Sequence, residues 1–246
     1  MLTPTAVAEG HHQHTSLSAI VLQAHALTRR NMLGASMALT GIALTGGILP
    51  TFAQKGTIRP TSQETLGPFY PIEVSADVDA DLTIIEGRRE RALGQFVYVS
   101  GKVTNTRGEP VGGAILEVWQ ANAAGRYAHP ADENKAPLDA NFQGFARIRT
   151  GADGTYRFMT IKPAAYPTGD GDWMRPPHIH FDIRGRASRI STQMYFEGET
   201  LNAKDKLLQG HSKGRQETMI SKTVATSGQQ ERDALAVLWD VVLISG

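Results

Sequence analysis

Not one cysteine occurs among the 246 residues, and the formal charge is only +1, from 25 Lys and Arg against 24 Asp and Glu. Without cysteine there is no disulfide framework, no thiolate nucleophile and no Cys-ligated zinc or iron–sulfur site. Any metal must be held by imidazole, carboxylate or phenolate. The near-zero charge, with basic residues scattered, excludes the electrostatic footprint needed to grip a phosphate backbone, so nucleic acid is not an expected partner. Long amphipathic helical patterns are also missing. What remains is 41% hydrophobic residues, enough for a packed core, in a length that suits roughly one or two domains of ~150 residues.

The first fifty residues distort these totals. Residues 1–53 hold two basic side chains (Arg29, Arg30), one acid (Glu9) and four of the eight histidines (His11, His12, His14, His25). Thr28-Arg29-Arg30-Asn31-Met32-Leu33 leads into a Gly-, Ala- and Thr-rich apolar run to Leu49, then Pro50 and Thr51-Phe52-Ala53. A charged region, an apolar run and a small residue before a cut are the parts of an export signal. The segment resembles a bacterial twin-arginine leader, with Met32 where that pattern prefers Phe and Gly34 where it often has Lys. The expectation is export to the periplasm or beyond with cleavage, and no stable membrane association afterwards. A retained anchor is the competing reading, weakened by the Gly and Thr that dilute the run. The length ahead of Arg29 leaves room for a translation start downstream of Met1.

Removing residues 1–53 leaves 193 residues with 23 basic, 23 acidic and four His. Residues 54–94 read as an N-terminal extension, and residues 95–246 as one domain. In that domain, short stretches with period-two alternation recur between turn signals. They are Gln95–Val103, Gly113–Gln120, Phe145–Thr150, Thr155–Ile161, Ile179–Arg184, Ser191–Glu197, Met219–Val224 and Leu235–Leu243. Asp153-Gly154 is a hairpin signal. Short helices are expected only near Ala203–Leu208 and Gln229–Ala236. The pattern predicts an all-β, antiparallel sandwich or barrel. Residues 121–144 and 162–177 are longer than ordinary sandwich connections, which marks them as functional loops.

His178-Ile179-His180 lies in a strand pattern, so both imidazoles point to one face and present two nitrogens to one ion. Arg175-Pro176-Pro177 stiffens the entry and sets a guanidinium beside the pair. Two His leave a metal under-coordinated. The long loops offer Tyr127, Tyr166 and His129, each of which also reads as a rim aromatic or, for His129-Pro130, a turn element.

In order along the chain stand Thr61-Ser-Gln-Glu-Thr-Leu-Gly-Pro-Phe-Tyr70, Gly125-Arg-Tyr127, Leu138-Asp-Ala-Asn-Phe142, Gly154-Thr-Tyr-Arg-Phe158, Thr160-Ile-Lys-Pro163, Tyr166-Pro167, Arg175-Pro-Pro-His-Ile-His-Phe181 and Gln193-Met-Tyr-Phe-Glu197. Over residues 60–245 this set resembles the intradiol ring-cleavage dioxygenases, and within them the β-type chains that act on protocatechuate. The resemblance implies a transthyretin-like (prealbumin-like) sandwich with long active-site loops. It implies a non-haem Fe(III) centre, with Tyr127 as the phenolate that stays, Tyr166 as the one that leaves when substrate arrives, and His178 and His180 as the imidazoles. Substrate would be a catechol-type, protocatechuate-like aromatic opened by O₂ between its hydroxylated carbons to a muconate-type diacid. Arg175 would stabilise negative charge on the substrate, and Gln193 would be a polar support close to it. A homo-oligomer or an α-type partner chain follows from the same likeness. Ala140, Pro177 and Thr168 depart from the family's usual Pro, Ala and Trp. The spacer of twelve positions from Tyr166 to His178 is protocatechuate-like, and residues 54–94 are too few for the helical dimerisation domain of catechol and hydroxyquinol enzymes. Two other classes compete: a non-catalytic transthyretin-like binding module, suggested by Gly101-Lys-Val103, Val111-Gly-Gly-Ala114 and Val118-Trp119, and a zinc hydrolase built on the His pair.

Overall fold

Alternation is clearest in β1, Phe96–Asn105, where every second side chain is buried: Val97, Val99, Gly101, Val103 and Asn105. In the computed structural model, which describes residues 57–74, 77–228 and 230–246, β1 is the centre of a five-stranded sheet. The proposed leader, residues 1–53, lies outside the described residues. Thr155–Ile161 (β4) pairs antiparallel with one edge of β1, and the other edge takes two strands in turn, both parallel. These are Leu235–Leu238 (β10) and Val241–Leu243 (β11), with Lys222–Val224 (β9) antiparallel on β10.

The expected single strand Leu235–Leu243 is therefore broken at Trp239-Asp240. There Trp239 N–H donates to Ser100 O at 2.9 Å, and Asp240 Oδ1 accepts from Lys102 N–H at 2.9 Å. A side chain at Gly101 would put its Cβ 1.9 Å from Trp239 O, so only glycine admits this approach.

The second sheet, Phe145–Arg149 (β3), Ile115–Trp119 (β2), His178–Arg184 (β7) and Arg189–Tyr195 (β8), is antiparallel throughout. Its inner face sets Leu116, Val118, Ile179, Phe181, Ile183 and Met194 against Val97, Val99, Val103, Tyr156 and Phe158 of the first sheet. Burying each large apolar side chain contributes about 1.5–3 kcal/mol. Its outer face carries Trp119, His178, His180, Asp182, Gln193 and Tyr195, and these are buried too. A strand buried on both faces needs cover on both, and here the cover is loops. That covered outer face is where the site lies.

The expected sandwich is present, and three further local expectations change. Inside loop 162–177, Tyr166–Pro167 (β5) and Met174–Arg175 (β6) form a two-residue ladder that seats Arg175 opposite Tyr166. Ala203–Leu208 is split: a 3-10 turn covers Thr200–Lys204, and Asp205 then caps a one-turn helix, Lys206–Gln209 (α1), by accepting from Leu208 N–H at 2.8 Å. A second short helix is Lys213–Gln216 (α2). Gln229–Ala236 is not helical over its described residues, because Leu235 and Ala236 are held in register with Val97 and Tyr98. Residues 57–94 contain no helix or strand among those described and are tied to the sandwich by bonds such as Thr61 N–H to Val242 O and Leu82 N–H to Met159 O.

Candidate metal centre

Strand register assembles the site. On β7, His178 and His180 face outward together, paired with Tyr195 and Gln193 of β8, while Trp119 of β2 lies opposite His180. The two loops bring in the phenols. Tyr166 Oη lies 3.4 Å from His178 Nε2, which is 3.2 Å from His180 Nε2, itself 3.1 Å from Tyr127 Oη. Four donor atoms thus converge, all from side chains under a tenth exposed.

Three of the four ligand candidates, His178, His180 and Tyr127, are held from behind. His178 Nδ1 donates to Pro176 O at 2.7 Å, which fixes the tautomer and turns the Nε2 lone pair into the cluster. His180 Nδ1 has no partner among the described residues, so packing orients this ring: Trp119 stacks on it at 4.9 Å and 11°. On another side a Cβ at Gly67 would stand 3.1 Å from His180 Cε1. Asp132 Oδ2 accepts from Tyr127 N–H at 2.7 Å, and Phe69 lies against the Tyr127 ring at 4.6 Å.

Burial, reinforced by the Arg175 cation, pushes both imidazoles to the neutral form, His180 down to about 3 and His178 well below its ordinary value. Burial likewise holds both phenols protonated, Tyr127 well above its ordinary value, with Tyr166 adding to the effect. Neutral imidazoles are the ligand form. Two phenols side by side become anionic only if a cation is bound among them, and a hard, highly charged cation suits that oxygen-rich set. Among the described residues no group of three or more His, Cys, Asp or Glu could hold a metal, so a metal beside the two imidazoles would need the phenols as its further ligands.

Arg175, 5% exposed, is fixed beside the cluster: its Nε donates to Asp205 Oδ2 at 2.7 Å, and its Nη2 to Gln193 Oε1 at 2.6 Å and Tyr195 Oη at 3.0 Å. Burial acts to lower its pKa, but Tyr195, Tyr166 and Asp205 together raise it, so the guanidinium stays charged. Gln193 Nε2 donates to Thr65 O at 3.0 Å, which makes Gln193 the strut behind Arg175. His129 serves its turn: its Nδ1 accepts from Ala131 N–H, and its carbonyl from Asp132 N–H.

Sequence pattern alone does not single out Trp119, Gly67, Tyr195 or Asp205 as site residues. Tyr195 has a usable signal, since it follows Gln193 at i+2 on one strand. Asp205 has none.

Two cavities flank the cluster. One of about 730 Å³ opens over Tyr166, His180 and Arg175. A smaller one, about 230 Å³, backs onto Tyr127 and Trp119. Tyr166 is thus the phenol at the mouth and Tyr127 the one at the back.

A family model described as Dioxygenase matches residues 66–245. The protocatechuate 3,4-dioxygenase beta chain of Burkholderia cepacia is 43% identical over 190 residues, covering 76% of this chain and 80% of that one. Catechol 1,2-dioxygenase 1 of Acinetobacter lwoffii is 34% identical over 148 residues, 55% of this chain and 46% of that protein. Among solved structures, the dioxygenase domain of a dioxygenase–carbohydrate-binding protein fusion from Streptomyces sp. SirexAA-E superposes with a TM-score of 0.57 at 24% identity, covering 76% of this chain and all of that one, a likeness of fold.

Proposed function

The chain belongs to the intradiol ring-cleaving dioxygenase family, and on that premise we propose that Tyr127, Tyr166, His178 and His180 hold a ferric ion at which a catechol-type aromatic is opened between its two hydroxylated carbons. That the protein is an aromatic ring-cleaving oxidoreductase follows from its relatives; the metal, its ligands and the substrate are the proposal. The observation that carries it is the convergence of the four donor atoms, at 3.1–3.4 Å steps, under a cavity.

A ferric ion there supplies Lewis acidity toward two adjacent hydroxyls and so activates the organic substrate toward O₂. The rest is work for the chain. Tyr166, at the mouth and carried on a two-residue ladder, is placed to yield its position and take up a substrate proton on its oxygen. Tyr127, anchored through Asp132, stays. Arg175 keeps its charge toward the ring as negative charge develops there, and Gln193, Tyr195 and Asp205 stop it from swinging away. The loops over the outer face of the second sheet keep bulk water from the buried donors.

A non-catalytic sandwich module would have no use for this quartet, and zinc would be an unusual occupant of a site with two phenols. Oxygen uptake against a panel of catechols, with product spectra read for intradiol against extradiol cleavage, tests the reading. Intradiol products with O₂ consumption support it; extradiol products or no uptake with any diol refute it.

The proposal extends to assembly and address. A relative named as a beta chain supports assembly with copies of this chain or with an α-type partner. The leader-like composition of residues 1–53 supports twin-arginine export, which N-terminal sequencing of exported protein would test.

A further inference from the structure

The cavity over Tyr166 and His180 is larger than a catechol ring requires; at about 730 Å³ it falls in the range of roughly 300–1,000 Å³ that holds drug-sized ligands. With its two hydroxyls turned to the donor cluster, a ring would direct any substituent into the remaining space. Phe69, Trp173 and Leu207 offer apolar surface there.

The charges on the wall are arranged asymmetrically. Arg175 is committed to the inner end by Asp205, Gln193 and Tyr195. Lys206, whose Nζ lies 4.8 Å from the Trp173 ring centre near the mouth, is paired with Asp170 at 2.7 Å. Apart from Arg175, the charged side chains among the described residues lining the cavity are both carboxylates, Asp132 and Glu133. Asp132 is held in place by accepting from Tyr127 N–H and Asn134 N–H. A ring carboxylate would give up water here to face two negative groups, whereas an alkyl or aryl substituent would gain contact with the apolar wall.

We propose that this chain selects on substituent charge, taking catechols with an uncharged apolar substituent in preference to carboxylated ones. The inference rests on the ring-cleaving reading above. It sets the chain apart from its 43% identical relative, which is named for protocatechuate, a carboxylated catechol.

The test uses the purified, iron-loaded full chain, titrated without oxygen with 4-ethylcatechol and with protocatechuate while its visible absorption is followed, and then assayed for O₂ uptake with each. The expected result is a Kd at least about tenfold lower for 4-ethylcatechol, with kcat/KM in the same order. Glu133→Lys should narrow that ratio by about threefold or more, through tighter protocatechuate binding that weakens with added salt. Equal or tighter binding of protocatechuate by the wild-type chain would overturn the inference, as would a ratio that Glu133→Lys leaves unmoved. If neither diol perturbs the absorption or consumes O₂ while another catechol of the panel does, this inference fails alone; if no diol does either, the ring-cleaving reading fails and takes this inference with it.

Discussion

Gly67→Ala, set against Gly87→Ala, separates backbone strain from metal-site packing. Gly67 has φ +73°, a conformation that costs a residue with a side chain about 1–2 kcal/mol. Its new Cβ would also stand 3.1 Å from His180 Cε1, and His180, stacked at 4.9 Å on Trp119, has little room to retreat. Gly87 provides the control. It has φ +80°, but a methyl group there would meet nothing within 4 Å, so Gly87→Ala carries the strain alone. Gly87→Ala should lose about 1–2 kcal/mol of stability in urea denaturation, or about 2–8 °C in Tm, and Gly67→Ala at least as much. Only Gly67→Ala should also weaken ferric-ion binding, by about 10–100-fold, because it displaces a ligand whose orientation depends on packing and not on a hydrogen bond. Metal titration followed by visible absorption reads the difference. If Gly67→Ala binds iron as tightly as Gly87→Ala, His180 is not held in the way described.

Other outcomes follow from the same contacts. Asp205→Ala leaves the buried Arg175 guanidinium without its carboxylate and should cost roughly 3–5 kcal/mol in denaturant unfolding, with a lower kcat on any accepted catechol. Tyr70→Phe removes a 2.8 Å bond to the buried Glu117, which keeps Arg147 and Arg184, so a loss of about 1.5 kcal/mol is expected by the same assay. Glu231 is held below the ordinary carboxylate range by the Tyr98 hydroxyl at 2.5 Å, then by a backbone bond and Arg91. A depressed folded-state pKa stabilises at neutral pH, and that contribution is lost as pH falls from the ordinary carboxylate value through the folded one. Glu231→Gln should therefore shrink the drop in Tm between about pH 7 and about pH 3.5, and an unchanged drop would contradict the assignment.

Much of the sandwich was legible because β1, β3 and β4 carry period-two burial over most of their length, and His178 and His180 were legible as a pair because i and i+2 on a strand share a face. The ladder Tyr166–Pro167 with Met174–Arg175 was not, since two residues cannot show a period and one of them is proline. Trp119 on His180 depends on which residue of β2 faces β7, and Asp205 on Arg175 depends on a contact between segments thirty residues apart. Those are tertiary facts. The failed helix near Gln229–Ala236 shows the same thing from the other side: local pattern allowed a helix, and the free edge of β1 captured Leu235–Leu238 as a strand.

The central claim is that two phenols and two imidazoles hold ferric iron, and the direct measurement is metal analysis with visible absorption on the purified chain and on its Tyr127→Phe variant. The account predicts bound iron and a tyrosinate-to-iron band in the wild-type protein, with the band shifted and weakened in Tyr127→Phe. A colourless wild-type protein after iron-replete expression, or a band that Tyr127→Phe leaves untouched, would contradict it.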